Sequence, residues 1–124
     1  MEVAPFKTRF SFEHRNSEAI KIRTKFPGRI PVIVERSPRA HNIPLLDKEK
    51  FLVPGDLTIG QFIFVIRKRI SIPSETALFL FVNGTLPTTG MLLKELYESY
   101  KDIDGFMYCN YTGENTFGFV QSHA

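Results

Sequence analysis

A chain of 124 residues with 43% apolar and 13% aromatic side chains has the material for one domain with a modest core, which excludes disorder. Its net charge of +3 is uneven, with seven Lys/Arg against three Glu in residues 1–30 and nine against ten in the remainder. That basic end suits an acidic protein segment, an anionic membrane or nucleic acid, and equally a solvated helix face.

No apolar run approaches the ~20 residues of a membrane span, and Met1-Glu2-Val3 lacks the basic-then-apolar pattern of a signal peptide. The lone Cys109 permits neither an intrachain disulfide nor a cysteine metal cluster, so the reducing cytosol or nucleus is the expected compartment. In that setting Asn83-Gly84-Thr85 and Asn110-Tyr111-Thr112 match the glycosylation pattern by chance. His14, His41 and His123 lack metal-ligand spacing.

Met1 to Pro5 is a short lead. Phe6 to Lys25 reads as helical, with Phe12, Ala19, Ile22 and Phe26 on the expected inner face and Glu18 beside Ile22. Lys21, Arg23 and Lys25 complement the dipole of its last turns, and Pro27-Gly28 stops it. Ile30 to Arg36, nearly unbroken in β-branched residues, is a central strand buried on both faces, with Pro31 near its start where a lost donor costs least. The polar stretch Ser37 to Asp47 joins it to a strand at Phe51 to Val53, an antiparallel hairpin with a long loop.

Pro54-Gly55 ends that strand, and Thr58 with Gln61 makes a capping box that opens a helix running to Ile70. Ile59, Phe62, Ile63, Ile66 and Ile70 share the face that must bury against a sheet. Phe62 and Val65 flank that stripe beside the end of the Phe51 strand, with Arg69 a turn further on. They either widen the core or leave apolar side chains at the joint of strand and helix. Phe64 falls on the opposite face, where a polar residue is expected.

Leu78 to Val82 is another apolar strand, ended by the turn signal Asn83-Gly84. Met91 to Tyr100 carries Leu92, Leu93, Leu96 and Tyr100 at helical spacing, and Phe106 to Tyr111 alternates as a last strand. From Thr112 the chain is polar and aperiodic, the pattern of a mobile tail. A helix crossing a small mixed sheet in this order is an α+β, ubiquitin-like β-grasp. The expected division is a helical extension over 1–28, a β-grasp core over 29–111 and a tail over 112–124.

No nucleophile elbow, metalloprotease motif, phosphate-cradling loop or spaced carboxylate pair is present, so no catalytic residue, metal or cofactor is expected. Cys109 sits mid-strand without a basic activator and reads as a small buried hydrophobe. Several segments together resemble the autophagy-related protein eight family, ubiquitin-like modifiers that include the GABA-receptor-associated protein and the microtubule-associated light chain three types. They are Lys25-Phe26-Pro27, Arg29 to Glu35, Asp47 to Asp56, Gln61 to Arg69, Leu78 to Asn83, Asp104-Gly105-Phe106 and Thr116-Phe117-Gly118.

The resemblance implies a β-grasp core with two amino-terminal helices. It implies a cysteine protease that cuts after Gly118, with Phe117 beside the cut, and activating and conjugating enzymes that join Gly118 to phosphatidylethanolamine. Residues 119–124 would then be a precursor extension, carried by a cytoplasmic protein that reaches the autophagosomal membrane after lipidation. It further implies docking of receptors through aromatic-x-x-aliphatic peptides. By match, Glu18, Ile22, Pro31, Lys50, Leu52 and Phe106 line the aromatic pocket, and Phe51, Val53, Pro54, Leu57, Phe62 and Val65 the aliphatic one. Strand alternation supports the split, because it sends Lys50 and Leu52 to one face and Phe51 and Val53 to the other. Arg29 and Arg69 are expected to steer acidic peptides. A non-conjugated adaptor of the same fold would use the same pockets and ignore Gly118. A small RNA-binding domain would instead use the basic end and bind with steep salt dependence, and nucleic acid is not the expected partner.

Overall fold

The computed structural model describes residues 4–40 and 42–114. The helical extension is two helices, α1 (Phe6–Arg9) and α2 (Phe12–Lys25), followed by β1 (Arg29–Arg36), β2 (Lys50–Pro54), α3 (Ile59–Ile70), β3 (Phe79–Val82), α4 (Leu93–Tyr100) and β4 (Met107–Thr112). The strands lie in the order β2-β1-β4-β3, with β1 and β4 parallel and the outer pairs antiparallel. This is the α+β, ubiquitin-like arrangement with amino-terminal helices.

β1 lies inside the sheet, and its alternate residues feed two apolar clusters. Ile30, Val32 and Val34 face α3, whose Ile59, Phe62, Ile66 and Ile70 fill the main core with Leu80, Met107 and Tyr111. Ile33 faces the other way, into a second cluster of Phe6, Ala19, Ile22 and Phe106 that joins the amino-terminal helices to the sheet. Each large side chain so buried contributes roughly 1.5–3 kcal/mol.

Local signals act where they stand. Thr58 Oγ1 accepts from Gln61 N at 3.1 Å while Thr58 N donates to Gln61 Oε1 at 2.8 Å, the reciprocal cap that opens α3. Asn83 and Gly84 take positive φ values of 51° and 78°, closing a tight turn in which Val82 and Thr85 exchange backbone bonds of 2.8 and 3.0 Å.

The single helix expected from Phe6 to Lys25 is broken. Phe10 is extended, and Ser11 caps a new helix by accepting from His14 N at 3.1 Å. The break lets Phe6 turn inward, 5.4 Å from the Phe106 ring and edge-on to it. Phe12 and Phe26, expected on the inner face, are each 39% exposed; only Ala19 and Ile22 of that set are buried. Thr112, expected to open the tail, is instead the buried last residue of β4.

A polar latch holds the helices to the sheet. The fully buried Asp104 carboxylate accepts from Arg15 Nη1 and Tyr108 Oη, each at 2.5 Å, and from Phe106 N at 2.8 Å. Burial and the adjacent carboxylate push the Tyr108 phenol well up. Gly105 beside it has φ +97°, and a Cβ there would stand 2.8 Å from that of Ala19, so this turn needs glycine to let α2 approach. Lys7 to Asp102 at 2.6 Å and the Arg9–Glu49 ion pair are more exposed and weaker fastenings. Asp104→Ala strands the nearly buried Arg15 guanidinium and should cost about 3 kcal/mol in urea unfolding; Lys7→Ala should cost under about 1.

Candidate functional site

The register of β2 on β1 decides which backbone groups remain available. Pro31 pairs with Leu52 and has no N–H, so that pair is a non-hydrogen-bonded one. The bond from Val34 N to Glu49 O, 2.8 Å, fixes the same alternation three residues along. Phe51 and Val53 therefore turn their backbone groups toward β1, while Lys50 and Leu52 turn theirs outward. β2 lies at the edge of the sheet, and an outward-facing ladder there is a template for another strand.

On the helix side of this edge, Lys50 Nζ meets Glu18 Oε2 at 2.6 Å, and Leu52 packs partly buried on the second cluster. Ile22 and Phe106 belong to that cluster and Pro31 is the register partner of Leu52, so the six residues expected around an aromatic pocket come together. Phe106 is wholly buried.

On the α3 side, Phe51 and Val53 lie in the main core, with Phe62 edge-on to Phe51 at 5.8 Å and Leu57 half-buried against them. Pro54 is half-buried, and Val65 stands out at 42% exposed. The two possibilities open in the sequence are thus both realised. Phe62, 1% exposed, widens the core, and Val65 one turn on is the accessible apolar group.

Arg69 is held across the surface by Asp47, with bonds of 2.8 and 3.3 Å, and this guanidinium keeps the Asp47 carboxyl below the ordinary carboxylate range. Arg29 lies at the edge itself: its Nη1 donates to Leu52 O at 3.0 Å. Phe64 is 57% exposed with Lys68 Nζ 5.3 Å from its ring centre. Gly118 and Phe117 lie outside the described residues.

A cavity of about 660 Å³ that sequence reasoning missed opens elsewhere, between the lead at Ala4 and Pro5, Arg9, Glu35, the connector residues Leu45 to Glu49, and Tyr111. Four separate segments make its walls, so no local pattern announces it. It shares no residue with either expected pocket. Among the described residues there is no cluster of metal-binding side chains, and no helix is long and apolar enough to cross a membrane.

The family model described as autophagy protein Atg8, ubiquitin-like, matches residues 14–118. Autophagy-related protein 8 of Mycosarcoma maydis is 56% identical over 113 residues, 91% of this chain and 95% of that protein. Autophagy-related protein 8e of Arabidopsis thaliana is 55% identical over 113 residues, 91% and 92% of the two chains. Among solved structures, Plasmodium falciparum Atg8 in complex with a P. falciparum Atg3 peptide aligns with TM-score 0.82 at 41% identity, covering 90% of this chain and 98% of that one. Trypanosoma brucei ATG8 aligns with TM-score 0.85 at 42% identity, covering 91% and 97%.

The one thiol lies on β4, two strands across the sheet from the β2 edge. Cys109 is buried in β4, and burial pushes its thiol up to about 12, so at neutral pH it stays protonated and shielded. A disulfide reagent at pH 8 should leave the native chain unmodified over hours and label one thiol per chain as soon as denaturant is added. Rapid labelling of the native chain would show that β4 opens readily.

Proposed function

Because this chain belongs to the Atg8 family of ubiquitin-like autophagy proteins, we propose that it acts by binding and by covalent attachment: it docks short receptor peptides along β2 and is itself joined to phosphatidylethanolamine through Gly118. The observation that carries the docking half is the outward backbone of Lys50 and Leu52, flanked by an apolar surface on each side of the sheet. A peptide added there as a strand sends residues three apart to opposite faces. Its aromatic side chain goes toward Leu52, Ile22 and the Lys50–Glu18 pair, and its aliphatic one toward Leu57, Pro54 and Val65. The peptide bound by the Plasmodium Atg8 supports a peptide as ligand, and, on this reading, a conjugating enzyme among the partners.

Filling each pocket contributes roughly 1.5–3 kcal/mol, and with strand bonds added and ordering costs subtracted the affinity is micromolar, about −8 kcal/mol. The nucleic-acid alternative relies on the basic amino end. Much of that charge is already engaged here: Lys7 with Asp102, Arg9 with Glu49, Arg15 with Asp104.

The attachment half rests on the resemblance of the Thr116-Phe117-Gly118 segment and on a family match that stops at residue 118. Cutting after Gly118 removes residues 119–124 and frees a carboxylate. A nucleoside triphosphate activates that carboxylate as an acyl nucleotide with release of pyrophosphate, and an enzyme thiol displaces the nucleotide to give a thioester. The lipid amine then attacks the carbonyl, so that the amide forms and the thiol leaves. Glycine offers the least obstruction to each attack. Two acyl chains then hold the protein stably on a membrane where one would be marginal. The precursor is cytoplasmic and the lipidated form autophagosomal on this reading.

Phe62 is too deeply buried to probe the aliphatic pocket cleanly, since its truncation would cost about 3–5 kcal/mol of folding. Leu52→Ala and Val65→Asp spare the core. Titrated with a Trp-x-x-Leu peptide, Leu52→Ala should weaken binding by about 1.5 kcal/mol, roughly tenfold, and Val65→Asp by at least as much. Unchanged affinity in both would remove the two-pocket model. In a reaction with protease, activating and conjugating enzymes and phosphatidylethanolamine vesicles, Gly118→Ala should be matured and lipidated far more slowly, read by intact mass. A chain ending at Gly118 should need no protease. Lipidation of Gly118→Ala at the native rate would remove Gly118 as the attachment point, and failure of the chain ending at Gly118 to acquire lipid from the complete enzyme set would favour the adaptor without conjugation.

A further inference from the structure

The cavity beside the amino-terminal lead is built for an uncharged ligand. Glu35 and Asn110, register partners on β1 and β4, lie side by side in its lining, and Pro5, Pro38, Leu45 and Leu46 supply apolar walls. Its charged residues are already engaged. Arg9 pairs with Glu49 and Asp47 with Arg69, Glu35 Oε2 accepts from Phe6 N at 2.7 Å, Arg36 Nη1 donates to Ile43 O at 2.8 Å, and Lys48 Nζ lies 4.6 Å from the Phe51 ring centre. What remains for a ligand is the apolar wall and the half-buried Asn110 amide, which both donates and accepts. A neutral peptide segment with an aromatic side chain fits that chemistry, and about 660 Å³ is the size of a small-ligand pocket.

This chain carries such a segment next to the cavity. Tyr111, in the lining, is one residue from the end of β4 at Thr112, and Gly113 lies against the side chain of Asn42 in the connector. Ten residues follow Glu114; none is Lys, Arg, Asp or Glu, and their large apolar groups are Phe117, Phe119 and Val120. We propose that this segment turns back and seats Phe119 in the cavity for as long as the chain carries residues 119–124. Reach selects Phe119. From Asn110 to Glu114 the chain travels at most about 13 Å, so a return of similar length brings residues 118–119 level with Asn110, while Phe117 falls short. The tether holds the segment at a local concentration of about a millimolar, so a weak intrinsic affinity suffices. Cutting after Gly118 would remove the occupant and open the cavity, giving precursor and mature chain different surfaces. A seated Phe119 also shelters the neighbouring Gly118, so cleavage follows the unseated fraction. Those two consequences rest on the cleavage reading above; the seating does not.

The test uses the full chain with Ser122→Cys carrying a nitroxide, since Cys109 is buried and stays unlabelled. The amide signals of Leu45, Leu46 and Asn110 should be broadened far more than those of the rest of the sheet. Phe119→Ser should lower the seated population about tenfold, and so should Leu45→Asp, whose position is 44% exposed and outside the core, while Phe117→Ser should preserve it. Broadening spread evenly over the surface, or unchanged by Phe119→Ser, overturns the seating. Equal broadening of an isotope-enriched chain mixed with a separate nitroxide chain also overturns it, because the occupant is then a second copy. With the processing protease, Leu45→Asp should be cut after Gly118 several-fold faster than the native chain. Equal rates would overturn the sheltering of Gly118. If neither chain is cut there, the cleavage reading fails, and the nitroxide result still decides the seating.

Discussion

The missing hydrogen on the nitrogen of Pro31 sets the alternation of the whole β1–β2 ladder. A residue that cannot donate must stand opposite a partner that does not need the bond, so Leu52 is turned outward and, by alternation, Lys50 with it. The cost of proline inside a sheet is avoided only in that register. Any other would bury an unpaired carbonyl at the start of the strand, or point the polar face of β2 into the core. The outward backbone of β2, the two apolar surfaces that flank it and the position of Arg29 all inherit this parity.

β1 can impose its register because it is buried on both faces. Val32, Ile33 and Val34 are essentially inaccessible, the first and third under α3 and the second under the amino-terminal helices. A one-residue slip would exchange these surfaces and cost several buried side chains at once. The second cluster is small, and its attachment depends on Asp104, which gathers Arg15, Tyr108 and the Phe106 amide around one buried carboxylate. That latch places Ile22 and Glu18 beside Lys50 and Leu52. The helix side of the edge is therefore shaped by an interaction some distance from it in sequence and space.

What could be read in advance were the features that a few neighbouring residues determine. Thr58 with Gln61, the Asn83-Gly84 turn, the β-branched run of β1 and the apolar stripe of α3 all formed as their local chemistry dictates. The break at Phe10 was not, because helical spacing of apolar residues carried across it, and the cap at Ser11 competes with that pattern only once Phe6 has a partner in Phe106. Thr112 was misread for the same reason: its polarity is local, while its burial beside Phe79 is set by strand pairing. Asp104 and Arg15 are 89 positions apart, and the Arg29–Leu52 bond exists only in one register, so neither contact has a sequence signature. The split of β2 into two faces was legible from alternation alone; how deeply each side chain sinks was not, and Phe62 and Val65 differ on that point.

The most direct test of the edge is backbone amide exchange in the free chain and in its complex with a Trp-x-x-Leu peptide. Parity requires that the Leu52 amide exchange fast in the free chain and become protected on binding, while the Phe51 and Val53 amides, already bonded to β1, change little. Protection confined to Phe51 and Val53, or a saturated complex in which Leu52 still exchanges freely, would contradict strand addition at β2.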